Sequence, residues 1–294
     1  MSAPPLSASP TTNPKTAFVF AGGGSLGAIQ VGMMLALARH GIHADMVVGS
    51  SVGALNGAYY AGAPTLPGVE KLAEIWRGLT RHDIFPVSVA SLMGFLWRRD
   101  FLVSHDGLRK LIGDHLPYKN LEEAKIPIHI VATDVITGDS VVMSDGSAME
   151  AILASTSIPG AFAPIARNGL FLVDGALSSN TPIGIALRHG ATRLIVMPTG
   201  SVCGGHAPPI GAVASVLHAL TLLISRQLID ELEEVTDLID CVVVPPLCPL
   251  VGSPYDFTRT ASHIDRAVES TTRWIAEGGL EKRGIPDELR PHRH

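Results

Sequence analysis

Short apolar runs alternate with longer stretches of helical spacing along nearly the whole chain. Residues 16–20, 45–48, 126–133, 140–143, 170–173, 193–197 and 238–244 are brief and rich in Val, Ile, Leu or Phe, the pattern of buried strands. Helices are predicted from the glycine run after residue 20 to about His40, directly after Ser51, and over 69–79, 148–155, 182–188, 210–237 and 258–276. A Thr137-Gly138-Asp139 turn joins two of the strands. Alternating α and β elements with no internal linker or repeat predict one α/β domain with a mostly parallel sheet over residues 15–294.

Gly49-Ser50-Ser51-Val52-Gly53 interrupts this alternation most informatively. It follows the apolar run Met46-Val47-Val48 and leads straight into a helix. A strand that turns at once into a helix through G-x-S-x-G forces its central residue into an exposed elbow, and Gly49 and Gly53 permit the close backbone approach. The Ser51 hydroxyl would then stand at a helix N-terminus, where free N–H groups and the helix dipole favour developing negative charge. A glycine–serine turn opening a helix can also be purely structural.

Composition narrows the function classes. The chain has 294 residues, 46% hydrophobic and 17% charged, enough for a large core. Mean hydropathy is +0.30, yet no apolar run reaches the roughly 18–20 residues of a membrane helix. A net charge of −5 with dispersed Lys and Arg gives no basis for a nucleic-acid partner. Residues 1–14, rich in Ser, Thr and Pro, read as a disordered lead-in rather than a signal peptide. Cys203, Cys241 and Cys248 lack C-x-x-C spacing, which argues against a disulfide framework or zinc site, and nothing calls for a metal or organic cofactor. A cytoplasmic location is the expectation, with peripheral membrane contact through the stretch from Phe85 to Val103, where Phe95, Trp97 and Phe101 flank Arg98 and Arg99. A core-capping helix and loop is the competing reading of that stretch.

Gly22-Gly23-Gly24-Ser25-Leu26-Gly27 supports two readings. It satisfies G-x-G-x-x-G after a strand, with Asp45 18 residues beyond Gly27, as in a dinucleotide fingerprint. Asp45, however, precedes its strand, whereas a ribose-binding acid should end it. The other reading is an oxyanion hole, in which Gly22, Gly23 and Gly24 leave N–H groups free to converge on one oxygen.

A serine nucleophile needs a proton acceptor. In α/β-hydrolases the elbow follows several strands; here it follows only the second, and His189, His206, His218 and His263 lack a supporting motif. Among Asp-Gly pairs, Asp106 reads as an N-cap and Asp145 as a turn residue. Asp174 ends an apolar strand, and active groups of open parallel sheets gather at carboxyl ends. A capping or turn aspartate is the alternative.

Taken together, Gly22 to Gly27, Gly49 to Gly53, Asp174-Gly175-Ala176 and the block Ala154-Ser155-Thr156-Ser157-Ile158-Pro159-Gly160 resemble the patatin-like phospholipases, particularly short bacterial members, over about residues 16–199. The resemblance implies a three-layer α/β/α fold and a Ser–Asp dyad without histidine. Ser51 would be the nucleophile, Asp174 the base and Gly22, Gly23 and Gly24 the oxyanion loop, with Gly27, Gly49, Gly53, Gly175 and Ala176 in support. The substrate would be a lipid or other acyl ester. Where the family's loop often carries Arg or Lys, this chain has Leu26, which removes a partner for a phosphate. A carboxylesterase or thioesterase on the same fold, and a noncatalytic lipid-binding protein, are the rival readings. With an ordinary aspartate pKa near ~3.9, activity should persist to lower pH than in a histidine-based hydrolase.

Overall fold

The computed structural model describes residues 15–85, 103–200, 212–235, 239–250 and 254–290. The expected lead-in, and all but the ends of the stretch from Phe85 to Val103, lie outside the described residues. Among the described residues eight strands form one sheet: β1 (Thr16–Phe20), β2 (Met46–Ser50), β3 (Ile128–Asp134), β4 (Ser140–Met143), β5 (Ile165–Arg167), β6 (Leu170–Asp174), β7 (Arg193–Met197) and β8 (Asp240–Val243). Their order is β5-β6-β3-β2-β1-β7-β8, with β4 also on β3. The pairs β3–β2, β2–β1, β1–β7 and β7–β8 are parallel, while β4 and β6 run antiparallel to β3, and β5 to β6.

Alternate side chains of each strand face two separate cores. Phe18, Phe20, Val47, Ile130 and Met197 pack with α1 (Gly27–Arg39), α2 (Val52–Gly62), α3 (Leu66–Gly78) and the helices Asp106–His115, Ala148–Ser155 and Thr260–Ala276. Ala17, Val19, Val48, Leu194 and Val196 face the helices Ile183–Arg188 and Ala212–Val235. Helices on both faces explain why the central strands are apolar throughout. In α1, residues 27–38 are all buried, so this helix is core on every side. By contrast α3 buries Val69, Leu72, Ala73 and Trp76 on one stripe, and the Thr65 hydroxyl caps its start by accepting the Gly68 N–H.

Three local expectations need correction. β5 was not anticipated, although Asn168-Gly169, with φ of 50° and 79°, forms the tight turn of its hairpin with β6. The N-cap of the helix Asp106–His115 is His105, not Asp106. Finally, Cys241 is a buried free thiol but Cys248 is disulfide-bonded, against the reading of unlinked cysteines.

Candidate active site

The strand register brings the two ends of the site together. Ser50 of β2 pairs with Val131 of β3, and Asp174 of β6 pairs with the next residue, Ala132. β4 occupies the opposite edge of β3, pairing with residues 130–133. So β2 and β6 run along the same edge of β3 from opposite directions, and their carboxyl ends meet head to head. The expectation that Asp174 ends a parallel strand is thereby corrected; its proximity to Ser51 follows from an antiparallel one.

Ser51 stands between β2 and α2 with φ 54° and ψ −127°, a conformation that costs a non-glycine residue on the order of 1–3 kcal/mol. A Cβ on Gly49 would strike the Gly53 carbonyl, and one on Gly53 the carbonyls of Phe20 and Ala21. The elbow therefore lies directly against the end of β1, where the glycine loop begins. The Ser51 hydroxyl donates to Asp174 Oδ2 at 2.7 Å, and Asp174 Oδ1 accepts the Ala176 N–H at 2.9 Å. Among the described residues no histidine bonds either member of this pair.

Asp174 is buried. That burial raises its carboxyl from the ordinary 3.8 to about 6, with the Ser51 hydroxyl and the Ala176 N–H pulling the other way. The acid is thus a far better match for an alcohol than a solvated aspartate. The expected low-pH tolerance is corrected by the same fact: a group titrating near 6 no longer separates a carboxylate base from a histidine.

The glycine loop divides its amides. Gly22 N–H donates to the Asn180 carbonyl at 3.0 Å, so it is not available to an oxyanion, contrary to the sequence expectation. Gly22 is nonetheless at the centre, since a Cβ there would lie 3.0 Å from Ser51 Cβ and 2.6 Å from Asn180 Oδ1. The amides of Gly23 and Gly24, and that of Val52 at the start of α2, donate to no acceptor among the described residues. Gly27 packs α1 against Val52 and Asn56, and Gly175 lies against the Val131 carbonyl and Ser50 Oγ. Asp45 is remote from this loop: it accepts the Thr16 N–H at the amino end of β1, which removes the dinucleotide reading.

Several supporting residues have roles the sequence did not assign, Ser155 and Ser157 among them although they lie in the block Ala154 to Gly160. Ser155, at the end of its helix, accepts the Ser51 N–H at 2.9 Å and donates to the Val131 carbonyl at 2.5 Å, while its own carbonyl accepts the Gly175 N–H at 3.2 Å. The Ser157 carbonyl accepts the Asp174 N–H at 2.9 Å. Below the loop, Gln30 Nε2 donates to the carbonyls of Ala21 and Met197, and Asn56 links Gln30, the Gly27 carbonyl and the Trp76 indole N–H. The sequence signal for Gln30 and Asn56 was a lone polar residue in an otherwise apolar helical run, and the structure buries both fully. Tyr255 lies close enough for the Asp174 charge to add to burial in raising its phenol.

The fold and site thus define an α/β protein with a serine on a strand–turn–helix elbow beside a buried carboxylate and beside loop amides that meet no acceptor among the described residues. The family model "Patatin-like phospholipase" matches residues 18–187, more than half of the sequence, and the chain belongs to that family. It is 28% identical over 187 residues to patatin-like phospholipase domain-containing protein 7 of Rattus norvegicus, covering 63% of this chain and 14% of that protein. It is 29% identical over 199 residues to lysophospholipase NTE1 of Scheffersomyces stipitis, covering 65% and 12%. The chain thus spans about one-seventh of the length of these curated relatives. VipD from Legionella pneumophila shares the fold, with a TM-score of 0.50 at 15% identity over 92% of this chain and 67% of that one.

Proposed function

We propose that the protein hydrolyses carboxylic esters of lipids through a Ser51–Asp174 dyad and an acyl-enzyme. Ser51 Oγ attacks the ester carbonyl as its proton passes to Asp174 Oδ2. The N–H groups of Gly23, Gly24 and Val52 receive the oxyanion. Asp174 returns the proton to the departing alcohol oxygen as the C–O bond breaks, leaving an acyl ester on Ser51. Water then attacks that ester, losing its proton to Asp174, which passes it to Ser51 Oγ as the acyl C–O bond breaks, so the carboxylic acid leaves with both residues restored. Each donor to such an oxyanion is typically worth about 3–4 kcal/mol in the transition state.

The observation that carries this reading is the 2.7 Å bond from a strained elbow serine to a carboxylate that burial has made basic. A lipid rather than a water-soluble ester is supported by exposed apolar side chains at both ends of β6: Ile136 and Phe171, 77% and 54% exposed, at its amino end, and Leu177, 51% exposed, three residues past Asp174. Leu26, buried where the family's loop often carries a cation, favours neutral esters over phospholipids. None of the described helices is long and apolar enough to cross a membrane.

The test is turnover of p-nitrophenyl decanoate and of a monoacylglycerol by wild type, Ser51→Ala and Asp174→Asn. Both variants, shown folded by circular dichroism, should lose at least about 10³-fold in kcat. Full activity in folded Asp174→Asn would remove the dyad, and absence of wild-type turnover on both esters would remove the hydrolase reading.

A further inference from the structure

We infer that Thr199 is a positioning residue for the reaction: its hydroxyl fixes the peptide between Gly22 and Gly23 so that the Gly23 N–H faces the Ser51 side of the loop. The inference rests on the ester-hydrolase reading and adds what aims one of the oxyanion donors. Thr199 lies outside residues 18–187, the part of the chain that the family model matches.

An account of the loop's backbone groups isolates this bond. The Gly22 N–H donates to the Asn180 carbonyl at 3.0 Å, and the Ser25 N–H to the Pro254 carbonyl at 2.7 Å. The Gly23 carbonyl accepts the Leu26 N–H at 3.2 Å, and the carbonyls of Gly24 and Ser25 share the Gly27 N–H. The Gly22 carbonyl meets no backbone donor among the described residues and instead accepts the Thr199 hydroxyl at 2.6 Å. Over residues 22–25 this leaves the N–H groups of Gly23 and Gly24. The aim of Gly24 is set within the loop, because the carbonyl on its own peptide takes the Leu26 N–H. Of the two amides, only that of Gly23 depends on a side chain.

Peptide geometry then gives the direction. A trans peptide points its C=O and N–H to opposite sides, and the bond between Gly22 and Gly23 is trans. With its carbonyl turned to Thr199, the peptide turns the Gly23 N–H away from that residue. In the sheet β1 lies between β7 and β2. The loop that leaves β1 is therefore flanked by Thr199, two residues past β7, and by Ser51, the residue after β2. A Cβ on Gly23 would collide with the Thr199 side chain, and one on Gly22 would lie 3.0 Å from Ser51 Cβ, so the loop touches both. Away from Thr199 is toward Ser51. Thr199 is also buried, so water does not compete for the carbonyl it holds. Without the hydroxyl that carbonyl is left unpaired, and the peptide is free to rotate toward another donor and carry the Gly23 N–H off the oxyanion.

Turnover of p-nitrophenyl decanoate by wild type, Thr199→Val, Thr199→Ala and Thr199→Ser tests the inference, with melting temperatures measured for each. In folded Thr199→Val and Thr199→Ala, kcat should fall at least about tenfold, toward the roughly 10²–10³-fold loss of one oxyanion donor. KM should stay within about twofold, and Thr199→Ser should remain within about threefold of wild type. A second readout separates aim from mere bracing. Decyl trifluoromethyl ketone is attacked at its carbonyl by Ser51 Oγ, whose proton passes to Asp174, and it becomes a hemiketal oxyanion; decyl methyl ketone adds far less readily. In Thr199→Val the inhibition constant of the fluoroketone should rise by the factor lost from kcat/KM, while that of the methyl ketone stays constant. Unchanged kcat in a folded variant lacking the hydroxyl, or equal weakening of both ketones, would overturn the inference. So would a Thr199→Ser that folds but does not recover activity, or hydroxyl-free variants that both fail to fold. A wild type that neither hydrolyses the ester nor prefers the fluoroketone would remove the hydrolase reading, and this inference with it.

Discussion

Asp174 faces Ser51 with one carboxylate oxygen and the Ala176 amide with the other, and its burial holds the acid at about 6. Because the folded value lies above the unfolded one of 3.8, the native state prefers the protonated acid. The stability this gives is fully present below about pH 4 and is lost as pH rises through about 6. At pH 8 the ionised group costs the fold on the order of 3 kcal/mol, and at pH 5 about half of that. Asp174→Asn should therefore melt above wild type at pH 8, with the gap shrinking by about half at pH 5. An equal gap at both pH values would contradict the burial account. The same titration predicts that wild-type kcat/KM falls as pH drops below about 6, since the base must be ionised to act. At this scale Ser51, Asp174, Gly23 and Gly24 were legible because each sits in a motif with a mechanical reason. The engagement of Gly22 was not, because its partner Asn180 is 158 residues away and nothing local marks the pairing.

At the scale of elements, the site depends on two strands meeting end to end on β3 and on one helix end that braces both. Ser155 ties the Ser51 amide to the Val131 carbonyl through its hydroxyl and holds Gly175 through its carbonyl. It touches no reacting atom, so it is a positioning residue that restrains a backbone otherwise free to leave φ 54°. Ser155→Ala would leave the Ser51 N–H and the Val131 carbonyl unpaired at an estimated cost of roughly 1–3 kcal/mol each. We expect kcat to fall about tenfold or more with KM nearly constant, and Ser155→Thr to restore most of it. A matched loss in stability with unchanged kcat would reduce Ser155 to a purely structural brace. The sequence showed the strand 170–173 by its apolar run but not its direction, since periodicity carries no information on parallel or antiparallel pairing. The β5–β6 hairpin was marked by Asn168-Gly169, a signal that the short, half-polar β5 (IAR) did little to reinforce.

For the molecule as a whole, helices on both faces of a mostly parallel sheet convert consecutive apolar strands into a platform whose carboxyl ends collect the glycine loop and the elbow. This layering was readable from the alternation of elements, whereas the partners of the buried Gln30–Asn56–Trp76 chain, which joins the glycine loop to α3, depend on packing that spacing alone does not reveal. On this platform Ser51 is the nucleophile that carries the acyl group. Rapid acid quench of wild type during p-nitrophenyl decanoate turnover, followed by peptide mass spectrometry, reads that intermediate out. A decanoyl adduct is expected on the peptide containing Ser51, absent from Ser51→Ala and strongly reduced in Asp174→Asn. Turnover with no adduct on that peptide, or an adduct on another residue, would contradict it.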